Sequence, residues 1–185
     1  ISGPSRAVLL TGLHSHKNGY TDNTSGTVFN CEQQTLQHEL QDGGYQTAMI
    51  GKWHLGGTPA YFDHWTILPG QGDYYNPVFI TPNGNIKKEG YVTDIITDLS
   101  IDWLKNQRDT SKPFCLFVHH KAAHRNWMSD TTHLSLYEDK DFELPPTFYD
   151  DYEGRDAAAK QEMSIDKDMT LTYDLKMLHD DIDDH

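Results

Sequence analysis

Basic residues and cysteines are scarce in this chain of 185 residues. Fifteen Lys and Arg stand against 28 Asp and Glu, for a formal net charge of −13. Such a surface attracts neither nucleic acid nor an anionic membrane, so no nucleic-acid partner is expected. Nor does the sequence contain an apolar run long enough to span a bilayer, so no membrane insertion is expected. The two cysteines, Cys31 and Cys115, are far apart and lack metal-type spacing. They are too few for a disulfide framework, which leaves the redox compartment open. Cys115 sits in an apolar, strand-like run and reads as a buried thiol. The chain has no Met start and no signal peptide, and only Ile1 precedes Ser2. It is long enough for one domain with a sizeable core, and it contains no internal repeat.

The pattern predicts a helix over Pro4–His14, closed by Lys17-Asn18-Gly19, and a short amphipathic helix over Glu32–Gln41. Tyr45–Ile50 reads as a strand ending in a Gly-rich turn. Phe62–Gly84, rich in Gly, Pro and aromatics, reads as loop. Val92, Ile95, Ile96, Leu99, Trp103 and Leu104 form a helical stripe. Pro113–Val118 is a continuous apolar run of the kind buried parallel strands show. Arg155–Leu178 reads as helical, with Met163, Met169 and Leu175 as candidate buried residues. The acidic tail Asp180–His185 reads as solvated. This order predicts an α/β fold with a largely parallel sheet flanked by helices.

Three segments carry candidate chemistry. Ser2 stands directly ahead of a Pro-led apolar run, Pro4-Ser5-Arg6-Ala7-Val8-Leu9-Leu10. Pro suits a first helical turn, so Ser2 is expected just ahead of a helix N-terminus, where the dipole and free N–H groups favour an anion. Arg6 follows one turn later. The plainer alternative is an ordinary Ser cap on a core helix. Lys52 and His54 follow the first predicted strand, two residues apart, so an extended segment points both to one side. Lys holds a tetrahedral anion as a point charge, and His exchanges protons near neutral pH. The alternative is a loop in which Trp53 and Leu55 pack while Lys52 and His54 are solvated. His119-His120-Lys121-Ala122-Ala123-His124-Arg125 follows the second predicted strand, and in open α/β sheets sites gather at the carboxyl ends of strands.

Taken together, Ser2-x-Pro4-Ser5-Arg6 with Leu10-Thr11-Gly12, Gly51-Lys52-Trp53-His54-Leu55-Gly56 and the His-rich loop resemble, in order, the motifs of the type I, formylglycine-dependent sulfatases. The resemblance implies an alkaline-phosphatase-like sulfatase fold. On this basis residues 1–185 are an incomplete piece of the catalytic domain, lacking an N-terminal strand with a metal-binding Asp pair and the C-terminal part. It further implies that Ser2 is oxidised to formylglycine by a maturase and that its hydrate is the nucleophile. Cys is commoner at this position. Either the maturase of the organism accepts Ser, or a Cys has been replaced.

The resemblance gives each motif residue a role. Arg6 and Lys52 stabilise charge on the transferring sulfate. His54 bonds the hydrate and helps collapse the sulfated intermediate, and His124 assists the departing sugar oxygen. Ala123 replaces the Pro usual in that loop, which removes a rigid φ. Ser2, as formylglycine, is a calcium ligand, and the other ligands lie outside this chain. Asp183, Asp184 and His185 resemble a downstream ligand pair only weakly and read more simply as solvated tail. With one ligand of the 6–8 oxygens calcium takes, the piece alone is expected to bind it poorly.

The segments Gln71–Pro77 and His120–Trp127 resemble enzymes that remove 6-O-sulfate from N-acetylglucosamine. His120, Arg125, Trp127 and Tyr74 are the expected substrate contacts beside Lys52. Aromatic faces suit a sugar ring, and Arg125 suits a sulfate or uronate. Simple loop packing is the alternative for Tyr74, Tyr75 and Trp127. The expected partners are a sulfated glycan, from glycosaminoglycan or mucin, and the maturase. The expected location is periplasmic or secreted in a bacterium, or lysosomal in a eukaryote. Asn23-Thr24-Ser25 is a glycosylation triplet, common by chance. Two rivals stand beside this reading: a phosphate or phosphonate monoester hydrolase of the same superfamily, and a non-catalytic glycan-binding protein on a degenerate sulfatase fold.

Overall fold

The computed structural model describes residues 1–24, 26–162 and 168–174. The chain divides into one unit of Ile1–Ala122 and a second of Ala123–His185. The first unit is built on a five-stranded sheet with strand order β4-β3-β2-β1-β5. Its strands are β1 (Gln46–Lys52), β2 (His64–Leu68), β3 (Val78–Thr81), β4 (Gly84–Lys87) and β5 (Phe114–His119). β1 is central and pairs in parallel with β2 and β5. β3 and β4 complete the sheet antiparallel. The sheet is therefore mixed, with a parallel centre and an antiparallel margin.

β1 is buried along nearly its whole length, as a run of Ala48, Met49 and Ile50 between two neighbours requires. Helix α1 (Ser2–Thr11) lays Ala7 and Leu10 onto the cluster of Met49, Trp53, Leu55, Phe62 and Ile67. Each large apolar side chain in such a cluster contributes about 1.5–3 kcal/mol by leaving water. A short helix, α2 (Ser15–Asn18), follows a left-handed Gly12 and ends at a left-handed Gly19. The predicted single helix to His14 is thus two helices, because Gly12 closes the first with a bond back to Val8 O. Helix α3 (Leu36–Asp42) packs on β1. Helix α4 (Val92–Asp102) packs on β1 and β5 through the predicted stripe, burying Val92 and Ile96. It runs on into a π-turn, Trp103–Gln107, where the Asp102 carboxylate accepts from Asn106 and Gln107.

Two expectations need correction. Phe62–Gly84 is not loop, since it contains β2, β3 and the start of β4. Thr81 pairs with Gly84 across the two-residue loop Pro82-Asn83, and turn-forming residues on both sides masked the strands. Arg155–Leu178 is not one helix: the second unit shows only two four-residue helices, α5 (Asp156–Ala159) and α6 (Leu171–Asp174). Met163 and Leu175 lie outside the described residues. Cys31 and Cys115 are both free and half-buried, and burial raises both thiols.

Gly51 marks where β1 and β5 come closest at their carboxyl ends. Its φ is 107°, and a Cβ there would stand 2.1 Å from His119 O. Gly51→Ala therefore forces the two strands apart and holds Ala in a left-handed conformation. We expect a loss of about 2–5 kcal/mol, from overpacking plus backbone strain. Urea unfolding of the full-length protein would measure it, and an unchanged midpoint would contradict this packing.

Candidate active site

The three parallel strands deliver their ends to one edge of the sheet. β1 ends in Lys52, opposite Leu68 of β2, and Gly51 pairs with His119, the last residue of β5. Beyond β1 the chain turns at His54, whose φ is 54°. The turn is anchored by Trp53, 3% exposed, whose Nε1 donates to Gly56 O at 3.0 Å. His54 is thus left-handed rather than extended. Lys52 and His54 nevertheless reach one side, because both bond the side chain of Gln71.

Ser2 is the first residue of α1, not its cap; Ile1 occupies the cap position. The amides at this helix end are largely used. Gly3 N–H donates to Asn23 Oδ1 at 3.0 Å, Pro4 has no N–H, and Ser5 N–H donates to Ile1 O. A Cβ at Gly3 would lie 2.6 Å from Asn23 Oδ1, so only glycine permits this close seat. Asn23, the sequon residue, therefore has a structural use. An anion beside Ser2 must be held by side chains more than by backbone.

Those side chains form a connected set. His54 Nδ1 lies 3.1 Å from Ser2 Oγ. Gln71 Nε2 lies 3.2 Å from His54 Nε2, and Lys52 Nζ donates to Gln71 Oε1 at 2.5 Å. Arg6 Nη1 donates to Lys52 O at 2.7 Å and meets His119 Nδ1 at 2.8 Å. Lys121 Nζ donates to Gln71 O at 3.4 Å and stands 4.7 Å from the centre of the Tyr74 ring. Ser2, Arg6, Lys52 and His54 are thus brought together as expected. Gln71, His119 and Lys121 join them without having been singled out.

The cluster is cationic. Arg6, Lys52 and Lys121 make no ion pair among the described residues. Lys52 is 3% exposed, and burial first, then Arg6 and Lys121, lower its pKa to about 8. Burial also lowers Lys121, while Asp73 opposes the shift. Burial and then Arg6 bring His119 to about 4. His119 is therefore neutral near pH 7 and accepts the Arg6 N–H on Nδ1, which positions the guanidinium. Two buried lysines and a half-buried arginine that make no ion pair among the described residues favour an anion, and a tetrahedral oxyanion fits such point charges and guanidinium forks.

The other expected contacts have different surroundings. Tyr74 is buried (4% exposed) and stacks on Tyr91 with its ring facing Lys121, so it packs and is not an open sugar platform. His120 lines a cavity of about 610 Å3 that also touches Ser2, Arg6 and His119 and is otherwise walled by apolar side chains such as Leu9 and Trp53. His120 Nδ1 is buried with no hydrogen-bond partner among the described residues. His124, Arg125 and Trp127 belong to the second unit. There Arg125 is bound by both carboxylate oxygens of buried Asp174, so the charge expected to steer a sulfate is neutralised. Trp127 is half-exposed, and its Nε1 donates to Ala123 O at 3.0 Å. His124 Nδ1 contacts the carbonyl of Arg125.

Calcium fits these residues poorly. Among the described residues no three His, Cys, Asp or Glu side chains gather to hold a metal. Asp183, Asp184 and His185 lie outside the described residues, and no chemical step below runs through calcium. No helix among the described residues is long and apolar enough to cross a membrane.

Comparison with known proteins agrees with this geometry. Residues 1–181 match the sulfatase family model. The chain is 54% identical over 182 residues to the N-acetylglucosamine-6-O-sulfatase of Bacteroides thetaiotaomicron, covering 96% of this chain and 32% of that protein. It is 27% identical over 161 residues to the N-acetylglucosamine-6-sulfatase of Capra hircus, covering 73% of this chain and 28% of that one. A solved structure of a protein in complex with its substrate D-glucosamine-2-N,6-O-disulfate superposes with a TM-score of 0.89 at 53% identity, covering 96% of this chain and 36% of that one. The chain therefore spans about a third of the length of the curated relatives it matches. An oxyanion basket assembled at the strand ends, and a family match running almost the full length, lead to one conclusion: the chain belongs to the sulfatase family.

Proposed function

We propose that the full-length protein hydrolyses sulfate esters on glycans and that its target is 6-O-sulfated N-acetylglucosamine. The observation that carries the reaction class is the set of half-buried Arg6 and buried Lys52, linked through His54 and Gln71 to the Ser2 position and making no ion pair among the described residues. The substrate class is supported by the N-acetylglucosamine-6-O-sulfatase and the disulfated-glucosamine complex that the chain resembles.

Ser2 Oγ stands in for the oxygen of a formylglycine hydrate, the form we propose for position 2 after a maturase has acted. That oxygen gives up its proton and attacks sulfur, and the bond from sulfur to the sugar oxygen breaks as the sugar oxygen takes a proton from His124, in the role its motif implies. The second hydroxyl of the hydrate then gives its proton to His54, the role the motif implies, the carbon–oxygen bond to sulfate breaks, the aldehyde returns, and water adds to it to restore the hydrate. Arg6 and Lys52 hold the negative oxygens of the transferring group, which is usually the largest catalytic contribution. His54 holds the oxygen at position 2. Calcium remains a proposal for the full-length protein, with Ser2 the one ligand from this chain. The roles given to His124 and Trp127 rest on the sequence motif. A polymeric glycan substrate fits a periplasmic or secreted enzyme, and we extend the proposal to that location.

The test is a panel of 2-O-, 3-O-, 4-O-, 6-O- and N-sulfated monosaccharides, with phosphate monoesters alongside, given to the matured full-length protein. We expect the 6-O-sulfate of N-acetylglucosamine to be cleaved fastest. Preference for another sulfate isomer overturns the substrate, and preference for phosphate esters overturns the reaction class. In the same panel Trp127→Ala should weaken catalysis by about 1–3 kcal/mol if the indole stacks on the sugar, the scale of stacking losses on other π-faced ligands. No change in kcat/KM would remove Trp127 from the sugar subsite.

A further inference from the structure

We propose that Lys121 is a positioning residue that ties the loop of residues 71–74 across the end of β1 and thereby seats Lys52. The inference deepens the sulfatase reading and rests on it only for its effect on turnover.

β1 lies between β2 and β5 in the sheet. Lys52 ends β1 opposite Leu68, the last residue of β2, while Gly51 stands opposite His119, the last residue of β5. Gln71 comes shortly after β2, and Lys121 shortly after β5. A bond between these two therefore spans the carboxyl end of β1, where Lys52 stands. That bond is present, since Lys121 Nζ donates to Gln71 O at 3.4 Å. The Gln71 side chain continues the path, because its Oε1 accepts from Lys52 Nζ at 2.5 Å.

The loop needs such a tie. Gly70 and Gly72, on either side of Gln71, have φ of 51° and 68°. Glycine leaves the backbone the most freedom and loses the most entropy when ordered. Lys121 supplies the order through one loop. Its ammonium bonds the Gln71 carbonyl, stands 4.7 Å from the centre of the Tyr74 ring and is attracted by Asp73. Tyr74 is itself fixed: its carbonyl accepts from Val92 N–H at 2.8 Å, and its ring stacks on Tyr91. Lys121 is only 5% exposed, and a cation over an aromatic face gains most when shielded from water. A residue that orients a charge-holding group must be fixed in its own turn. Here Lys121 fixes Gln71, and Gln71 holds Lys52.

The same placement sets two like charges near each other. Arg6 of α1, His54 after β1, His119 of β5 and Lys121 are the titratable groups around Lys52. Burial lowers Lys52 most, and the charges of Arg6 and Lys121 lower it further. Loss of the Lys121 charge removes one repulsion, so Lys52 should then titrate at higher pH.

The test uses the matured full-length protein with lysine labelled at Cε with 13C, and Lys52→Met to assign the Lys52 signal. In Lys121→Met we expect kcat/KM to fall about 10–100-fold, the scale of removing a partner that orients an active-site ligand. In a Gln71→Ala background the same change should cost less than about threefold, because the path it acts through is already cut. Lys121→Arg keeps a donor and a cation for the Tyr74 ring and should recover most of the loss. Without substrate, Lys52 should titrate at higher pH in Lys121→Met than in the wild type, and as in the wild type in Lys121→Arg. Wild-type kcat/KM in Lys121→Met overturns the proposal. Equal losses with and without the Gln71 side chain also overturn it, since Lys121 would then act on the sulfate directly. Should Lys121→Met fail to fold, Lys121→Gln still offers the Gln71 carbonyl a donor without the charge. It should raise the Lys52 titration with a smaller loss of turnover, and a wild-type titration there overturns the proposal. The titration is read without substrate, so failure here is distinguishable from failure of the sulfatase reading, which would appear as no sulfate release by the wild type.

Discussion

Full-length protein with alanine at position 2 should release no measurable sulfate, a loss on the order of 10^4–10^6-fold, the scale of removing a covalent nucleophile. The expected loss follows from the geometry around Ser2. Its Oγ is met by His54 Nδ1 at 3.1 Å, and the cations Arg6 and Lys52 stand behind that contact. A plain Ser hydroxyl is a weak nucleophile unless a base activates it. Unmodified Ser also lacks the second hydroxyl through which an aldehyde hydrate would expel sulfate. Activity should therefore track conversion of Ser2 to the aldehyde, a loss of two hydrogens that the maturase must oxidise away. Mass spectrometry of the peptide ending at Arg6, run beside turnover on the same preparations, tests this. Full activity in a preparation holding only unmodified Ser would refute the aldehyde mechanism. Inactive Ser2→Ala beside active unconverted Ser would instead point to a hydroxyl nucleophile.

The parts of this site that could be read in sequence are those carried by short strings. Ser2 to Arg6 lies within two turns of one helix, and Lys52 and His54 flank a single residue, so spacing alone brings each pair together. β1 was legible because a central parallel strand is apolar through its middle; β5 was legible from its apolar run too, although it is the edge strand and only partly buried, not the buried strand that run suggests. Gln71 was marked only as the first residue of the Gln71–Pro77 segment, and its contacts with Lys52 and His54 were not legible. Its role comes from a turn after β2 that brings it to residues 17 and 19 positions earlier. β2 went unseen because Asp63 and Pro69-Gly70 frame only five residues. The hairpin of Val78–Thr81 and Gly84–Lys87 was hidden in the same way, although an apolar run followed by Pro82-Asn83 is a usable signal. Tyr74 shows the opposite failure. A Tyr in a Gly-rich loop suggests a sugar platform, but the face of this ring is covered by Lys121. Burial of that kind depends on long-range packing and leaves no local trace.

Lys52 should set the alkaline limit of the enzyme. Its amine is buried beside Arg6 and Lys121, and these surroundings bring its pKa to about 8. The charged form predominates below that value and binds the sulfate ester, which stays anionic throughout. As pH rises through about 8 the charge is lost, so kcat/KM should fall there toward a limit of about tenfold per pH unit. A bound anion favours the protonated amine, so kcat should hold to higher pH than kcat/KM. Lys52→Met removes the charge at every pH. We expect kcat/KM to drop by about 10^2–10^3, the scale of losing one preorganised stabiliser of transition-state charge. The alkaline limb assigned to Lys52 should vanish from what activity remains. Lys52→Arg keeps a charge that does not titrate in this range, though its fork no longer reaches Gln71 Oε1 as a point donor. It should flatten the limb while leaving kcat below wild type. pH profiles of the three proteins under one maturation protocol check the assignment. An alkaline limb near pH 8 that survives in Lys52→Met would place that ionisation on another group, and a loss smaller than about tenfold would remove Lys52 from the charge-holding role.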